Sequence, residues 1–140
     1  MDPGSGRAFG FKSDRFNTTI ERESFINPGC FGDDVACWLI AELRSKGFDT
    51  VEQPSPEDFG WYFQYKVAGV EHEVVIFFVP GDVQAEGEWI CRIERKSGLV
   101  GSLVGRRKHA LPAAIDVIYR ILSSGPAVAG LRSCSDAEFK

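Results

Sequence analysis

The chain has 140 residues, 44% of them hydrophobic and 26% charged, with a formal net charge of −4. Such a chain is expected to form one soluble domain, because at this length roughly 70% of the unfolded surface is hidden on folding. The acidic balance excludes a whole-protein basic field, so coating of nucleic acid is not expected.

The opening stretch MDPGSGRAFGFKSDR lacks the charged start and apolar centre of a secretory signal, and VVIFFV at 74–79 is far too short to cross a bilayer. A cytoplasmic location without membrane contact is therefore expected. Cys30, Cys37, Cys91 and Cys134 form no CxxC pair. They are expected to be free buried thiols rather than zinc ligands or disulfides.

Residues 1–10 are rich in glycine and small side chains and read as a flexible arm. A single domain is expected over 11–135, with 136–140 frayed. The first strand is predicted within RFNTTIERESF, where Phe16, Thr18 and Ile20 alternate with polar residues. Pro28, Gly29 and Gly32 then interrupt it.

A helix is predicted from Asp33 to Lys46, with Ala36, Leu39, Ile40 and Leu43 as its apolar stripe. Asp33 and Asp34 stand at its positive end, and Gly47 suits a left-handed stop followed by Phe48. DTVEQ reads as a short extended piece and PSPEDFG as turns. WYFQYKV, HEVVIFFV and WICRIERK read as three strands joined by short connections, which favours an antiparallel meander. SGLVGSLVGRRKH reads as irregular or marginally helical. LPAAIDVIYRILSS is the second helix, with Pro112 in its first turn and Leu111, Ala114, Ile115, Ile118 and Leu122 as its buried face. VAGLRSCS is a candidate last strand.

This order implies an α+β two-layer sandwich: a mainly antiparallel sheet of five or six strands with two helices on one face. In VVIFFV both faces are apolar. Val75, Phe77 and Val79, with Tyr62 and Ile90, would leave an apolar patch on the side away from the helices. A loop, the N-terminal arm or a homodimer through the sheet is expected to cover it.

Two acidic pairs frame the functional question. Asp33–Asp34 and Glu57–Asp58 would form a cation-binding or acid–base cluster if they converged. Each also has a local explanation, at a helix start and in a turn, and that reading is favoured. Arg106, Arg107 and Lys108 precede the second helix, where cations oppose the dipole unless an anion docks there. A solvated loop is the simpler account. The aromatics are mostly core by spacing, except Trp38, which lies off the helix stripe. His72 and His109 are the only histidines, and no HExxH or GxSxG motif accompanies them, so a histidine-based hydrolase is not expected.

INPGCFGDDVACWLIAELRSKGFDT followed by PSPEDFGW resembles a family of small bacterial proteins without an assigned activity, of the kind carried in mobile integron gene cassettes. The resemblance covers about residues 26–61. It transfers no catalytic role, but it implies that the two acidic pairs and Trp61 belong to one local unit.

The function expected is that of a small binding or interaction protein, with no cofactor and no metal. Asp33, Asp34, Glu57 and Asp58 would supply charge for a small cationic ligand or a basic partner segment, and Trp38 and Trp61 the apolar walls. The alternative is a metal-assisted hydrolase or nuclease that uses the same carboxylates, with Arg106–Lys108 steering a phosphate substrate. A third class is an immunity-like protein that blocks a basic partner.

Overall fold

The computed structural model describes residues 7–20, 30–58, 60–83, 87–96 and 110–134. Among them the chain forms β1 (Arg7–Lys12), α1 (Asp33–Ser45), β2 (Asp49–Thr50), β3 (Ser55–Pro56), β4 (Trp61–Val67), β5 (Val70–Val79), β6 (Glu88–Arg95), α2 (Pro112–Ser124) and β7 (Ala129–Cys134). The strands make one antiparallel sheet in the order β2–β4–β5–β6–β1–β7, with β3 also paired to β4. The α+β class and the antiparallel sheet match the sequence expectation. The two two-residue strands and β1 bring the count to seven.

Alternation decides which side of each strand is inside. Trp61, Phe63, Tyr65 and Val67 of β4, Val74 and Ile76 of β5, and Trp89, Cys91 and Ile93 of β6 are buried. They share one core with Val35, Ala36, Leu39, Ile40 and Leu43 of α1 and Ala114, Val117, Ile118, Ile121 and Leu122 of α2. Each full burial of a large apolar side chain is worth about 1.5–3 kcal/mol, so this helix-side layer dominates the stability. β4 and β5 join through Ala68 and Gly69, both at positive φ (52° and 76°). This is the two-residue hairpin geometry that matches strand twist.

α1 ends as expected. The N–H of Phe48 donates to the Leu43 carbonyl (3.0 Å), that of Gly47 to Arg44 (3.0 Å), and Gly47 sits at φ 88°. α2 ends differently. Gly125 has an extended backbone (φ −73°), and a Cβ there would lie 2.9 Å from the ring of Trp38. Close packing, not left-handed backbone, requires glycine at that position. Within α2, Val117 and Ile121 are buried while Leu111 and Ile115 are only half-buried, so the inward stripe is rotated from the expected one.

Three expectations are corrected. Residues 7–10 are no flexible arm: they open β1, an interior strand between β6 and β7, and Ala8 and Phe9 are buried. Residues 15–20 form no strand. The Asn17 side chain captures the local backbone, accepting the N–H of Ile20 (2.9 Å) and of Thr19 (3.2 Å) and donating to the Ile20 carbonyl (2.8 Å). Cys37 is exposed rather than buried, whereas Cys30, Cys91 and Cys134 are buried thiols. Residues 21–25 of the expected strand, the segment 97–109 with Arg106, Arg107, Lys108 and His109, and the C-terminal 136–140 lie outside the described residues.

Candidate functional site

The segment before α1 and the turn that carries Glu57 and Asp58 do meet, but through the side chains of Cys30 and Trp61 and not through the carboxylates. The Cys30 thiol donates to the carbonyls of Glu57 (2.9 Å) and Asp58 (3.3 Å), and the Trp61 indole N–H donates back to the Cys30 carbonyl (2.7 Å). Glycines permit the approach. A Cβ on Gly60 would stand 2.1 Å from the Ile76 carbonyl oxygen, and Gly32 holds φ 132° beside Ile76 and Trp61. The segment before α1 is thereby pinned to the turn before β4.

The carboxylates themselves diverge. Asp34 accepts the N–H of Asn17 (2.8 Å) through one oxygen and that of Val35 (2.9 Å) through the other, so it ties the 13–20 loop to the start of α1. Asp33 shares that first turn. Glu57 belongs instead to the sheet face away from the helices. Trp61 is inside the core and Trp38 packs between Phe16 (ring centroids 5.7 Å apart) and Gly125, so neither lines a common wall with Glu57.

Glu57 is joined on the open face by residues that the sequence did not single out. In register, Glu73 of β5 stands directly opposite Glu94 of β6, with Gln64 of β4 on its other side. Burial, then the charges of Asp58 and Glu94, push the Glu57 carboxyl above its ordinary value. Burial, then Glu57 and Glu94, push Glu73 up as well, partly opposed by Lys96. Cations near them among the described residues include Arg92, whose guanidinium lies 2.9 Å from Glu94, and Lys96, 3.9 Å from Glu71. A hollow of about 210 Å³ adjoins Gln64 and is also lined by Asp49, Thr50, Lys66 and Glu71. Among the described residues no group of three or more His, Cys, Asp or Glu side chains is placed to hold a metal ion.

His72 is fully buried on the helix side and serves the fold. Its Nδ1–H donates to the Val70 carbonyl (3.0 Å) and its Nε2 accepts the N–H of Leu111 (3.1 Å), at the residue that caps α2. Burial lowers its pKa, which keeps the ring neutral.

The sequence carried half the signal for the open-face carboxylates. Glu73 and Glu94 alternate with Val74 and Ile93, which predicts that both point outward. That they face each other depends on strand register, which alternation cannot supply.

Among the described residues no helix is long and apolar enough to cross a membrane. In comparisons with known proteins the chain matches no family model, no curated protein and no solved structure.

Proposed function

We propose that this protein is a binding module that receives a cationic group, an ammonium or guanidinium of a small ligand or of a basic partner segment, on the open face of its sheet. Glu57, Glu73 and Glu94 supply the charge and Gln64 a neutral acceptor. Tyr62 and Val75, opposite each other one step further along the sheet, supply apolar contact. The site differs from the cleft expected from sequence: Glu57 and Asp58 stay in it, whereas Asp33, Asp34, Trp38 and Trp61 serve the fold beside it.

The observation that carries this reading is the direct Glu73–Glu94 pairing. Like charges directly opposite in a sheet destabilise it. Here a third carboxylate, Glu57, adds to the repulsion at a partly desolvated place. Arg92 on Glu94 and Lys96 near Glu73 offset part of that repulsion; a bound cation would offset the remainder at Glu57 and Glu73, so the arrangement favours a cationic ligand.

The test is titration with spermine and with a tri-arginine peptide, followed by backbone amide shifts. Saturable shifts are expected at residues 57, 64, 73 and 94. Joint Glu57→Gln and Glu73→Gln substitution should weaken binding roughly tenfold or more, the loss of a charge-assisted contact. Asp116→Asn, on exposed α2 surface, should leave it unchanged. Equal weakening by Asp116→Asn would mean diffuse attraction to an acidic protein and would overturn the reading.

A further inference from the structure

A second concavity lies at the other end of the sheet, in a cavity of about 490 Å³ between residues 12–18, the Phe78 and Gly87 ends of β5 and β6, and residues 126–129. That volume falls in the range of small-molecule sites. Phe78 is five residues along β5 from Glu73, about 17 Å at strand rise, and packs on the helix-side core. The cavity is thus separate from the open-face carboxylates in position and in side of the sheet.

Its chemistry is the reverse of theirs. Among the described lining residues, Lys12 and Arg15 bring two cations and Ser13 and Thr18 two hydroxyls, against one carboxylate, the exposed Asp14; behind the lining, the Glu88 carboxylate feels the Lys12 charge but is itself held by Arg132. The Ser13 hydroxyl accepts the Arg15 N–H (3.2 Å), a local turn that sets Arg15 at the rim. The opposite wall is apolar: Phe78, Pro126 and Val128.

Two backbone devices shape the cavity. Between β1 and β7 the pairing passes from Gly10↔Arg132 to Lys12↔Ala129, two steps on one strand against three on the other. Gly130, at φ +60°, lies in the surplus. Such a bulge re-aims side chains and ends pairing at a sheet rim, and here Lys12 and Ala129 on either side of it both line the cavity. At the opposite wall a Cβ on Gly87 would lie 2.3 Å from the Phe78 ring, so only glycine leaves that ring where it stands. Trp89 backs the ring at a centroid distance of 4.9 Å, and Phe16 packs edge-on to Trp89.

We propose that this cavity is a second binding site, for a small anion with a flat apolar body: a carboxylate, phosphate or sulfate group held by Lys12 and Arg15, and a ring or short chain laid on Phe78. Phenyl phosphate is the probe, followed by amide shifts on the full chain, with inorganic phosphate and benzylamine as comparators. Phenyl phosphate should shift the amides of Ser13, Gly87 and Val128 saturably. It should bind more tightly than inorganic phosphate, and benzylamine should not compete. Joint Lys12→Gln and Arg15→Gln substitution should weaken binding roughly tenfold or more. In the unsubstituted protein, added salt should weaken it too, which keeps the test decisive if the double variant misfolds. Equal affinity for inorganic phosphate would overturn the apolar half of the proposal. Benzylamine binding as well as phenyl phosphate, salt-independent affinity, or no saturable shift would overturn the anion site.

Discussion

His72 shows how one residue's neighbours decide between chemistry and structure. In the sequence it stands between Glu71 and Glu73, which invites a catalytic reading. In a strand those carboxylates face the other way, and the imidazole is buried between a hairpin carbonyl and the cap of α2. His72→Leu should therefore cost stability by leaving two backbone groups unpaired, about 1–3 kcal/mol each, measurable by urea unfolding. The pH dependence has a definite sign. The folded pKa lies below 6.5, so His72 contributes its full stability above pH 6.5 and loses it as pH falls from there through the folded value. The same logic applies to Tyr65, whose hydroxyl donates to the Ala114 carbonyl at 2.8 Å and whose burial raises its pKa. Tyr65→Phe should cost about 1 kcal/mol without changing the spectrum of the sheet.

At the scale of elements, both helices, the β4–β5 hairpin and β6 were legible, because their apolar periods are long and their ends carry Gly or Pro punctuation. β1 was not. RAFGFK is short, and Gly10 dilutes its alternation with a residue that strands disfavour. The structure explains the glycine: a Cβ at Gly10 would lie 2.5 Å from the Glu88 carboxylate. Glu88 itself is held by Arg132 in a two-point ion pair (2.7 and 2.6 Å), with its pKa lowered by that bond. The opposite error arose at FNTTI, where alternation looked like a strand but Asn17 closes a turn. The tie between the segment before α1 and the turn before β4 was not legible in spacing; it consists of the Cys30 thiol donating to the Glu57 and Asp58 carbonyls and the Trp61 indole N–H donating to the Cys30 carbonyl. Trp61→Phe removes the indole donor from a buried carbonyl and should cost about 1–3 kcal/mol in chemical denaturation. Gly60→Ala should be at least as damaging, since its Cβ has no room against the Ile76 carbonyl.

For the molecule as a whole, the two faces of the sheet hold different tensions. The helix side holds the main apolar core, whereas the open side carries carboxylates whose pKa values lie above their ordinary 4.5. Glu57 and Glu73 therefore lower stability as pH rises above 4.5 through their folded values, opposite in sign to His72. Glu73→Gln should raise stability at neutral pH by about 0.2–1 kcal/mol, the size of a relieved cross-strand repulsion. It should also flatten the fall in melting temperature above pH 4.5. The apolar patch of Val75, Phe77 and Val79 with Tyr62 and Ile90 was expected to be covered by a loop, the N-terminal arm or a second subunit. Ile90 and Ala8 are already buried beside Phe77 and Cys134 within one chain. Tyr62 and Val75 stay half-buried and Val79 exposed on that face; the sequence could show that both faces of β5 were apolar, but not that β1 and β7 would extend the sheet past β6 and enclose Ile90.

The interior place of β1 also sets a timetable for synthesis. Phe9 pairs with Cys91, and Ala8 with Cys134. β1 thus waits for neighbours made more than half of this sequence later. At ordinary translation rates that wait is on the order of ten seconds. Until then Phe9 and Phe11 lack the β6 and β7 strands that flank them in the folded sheet.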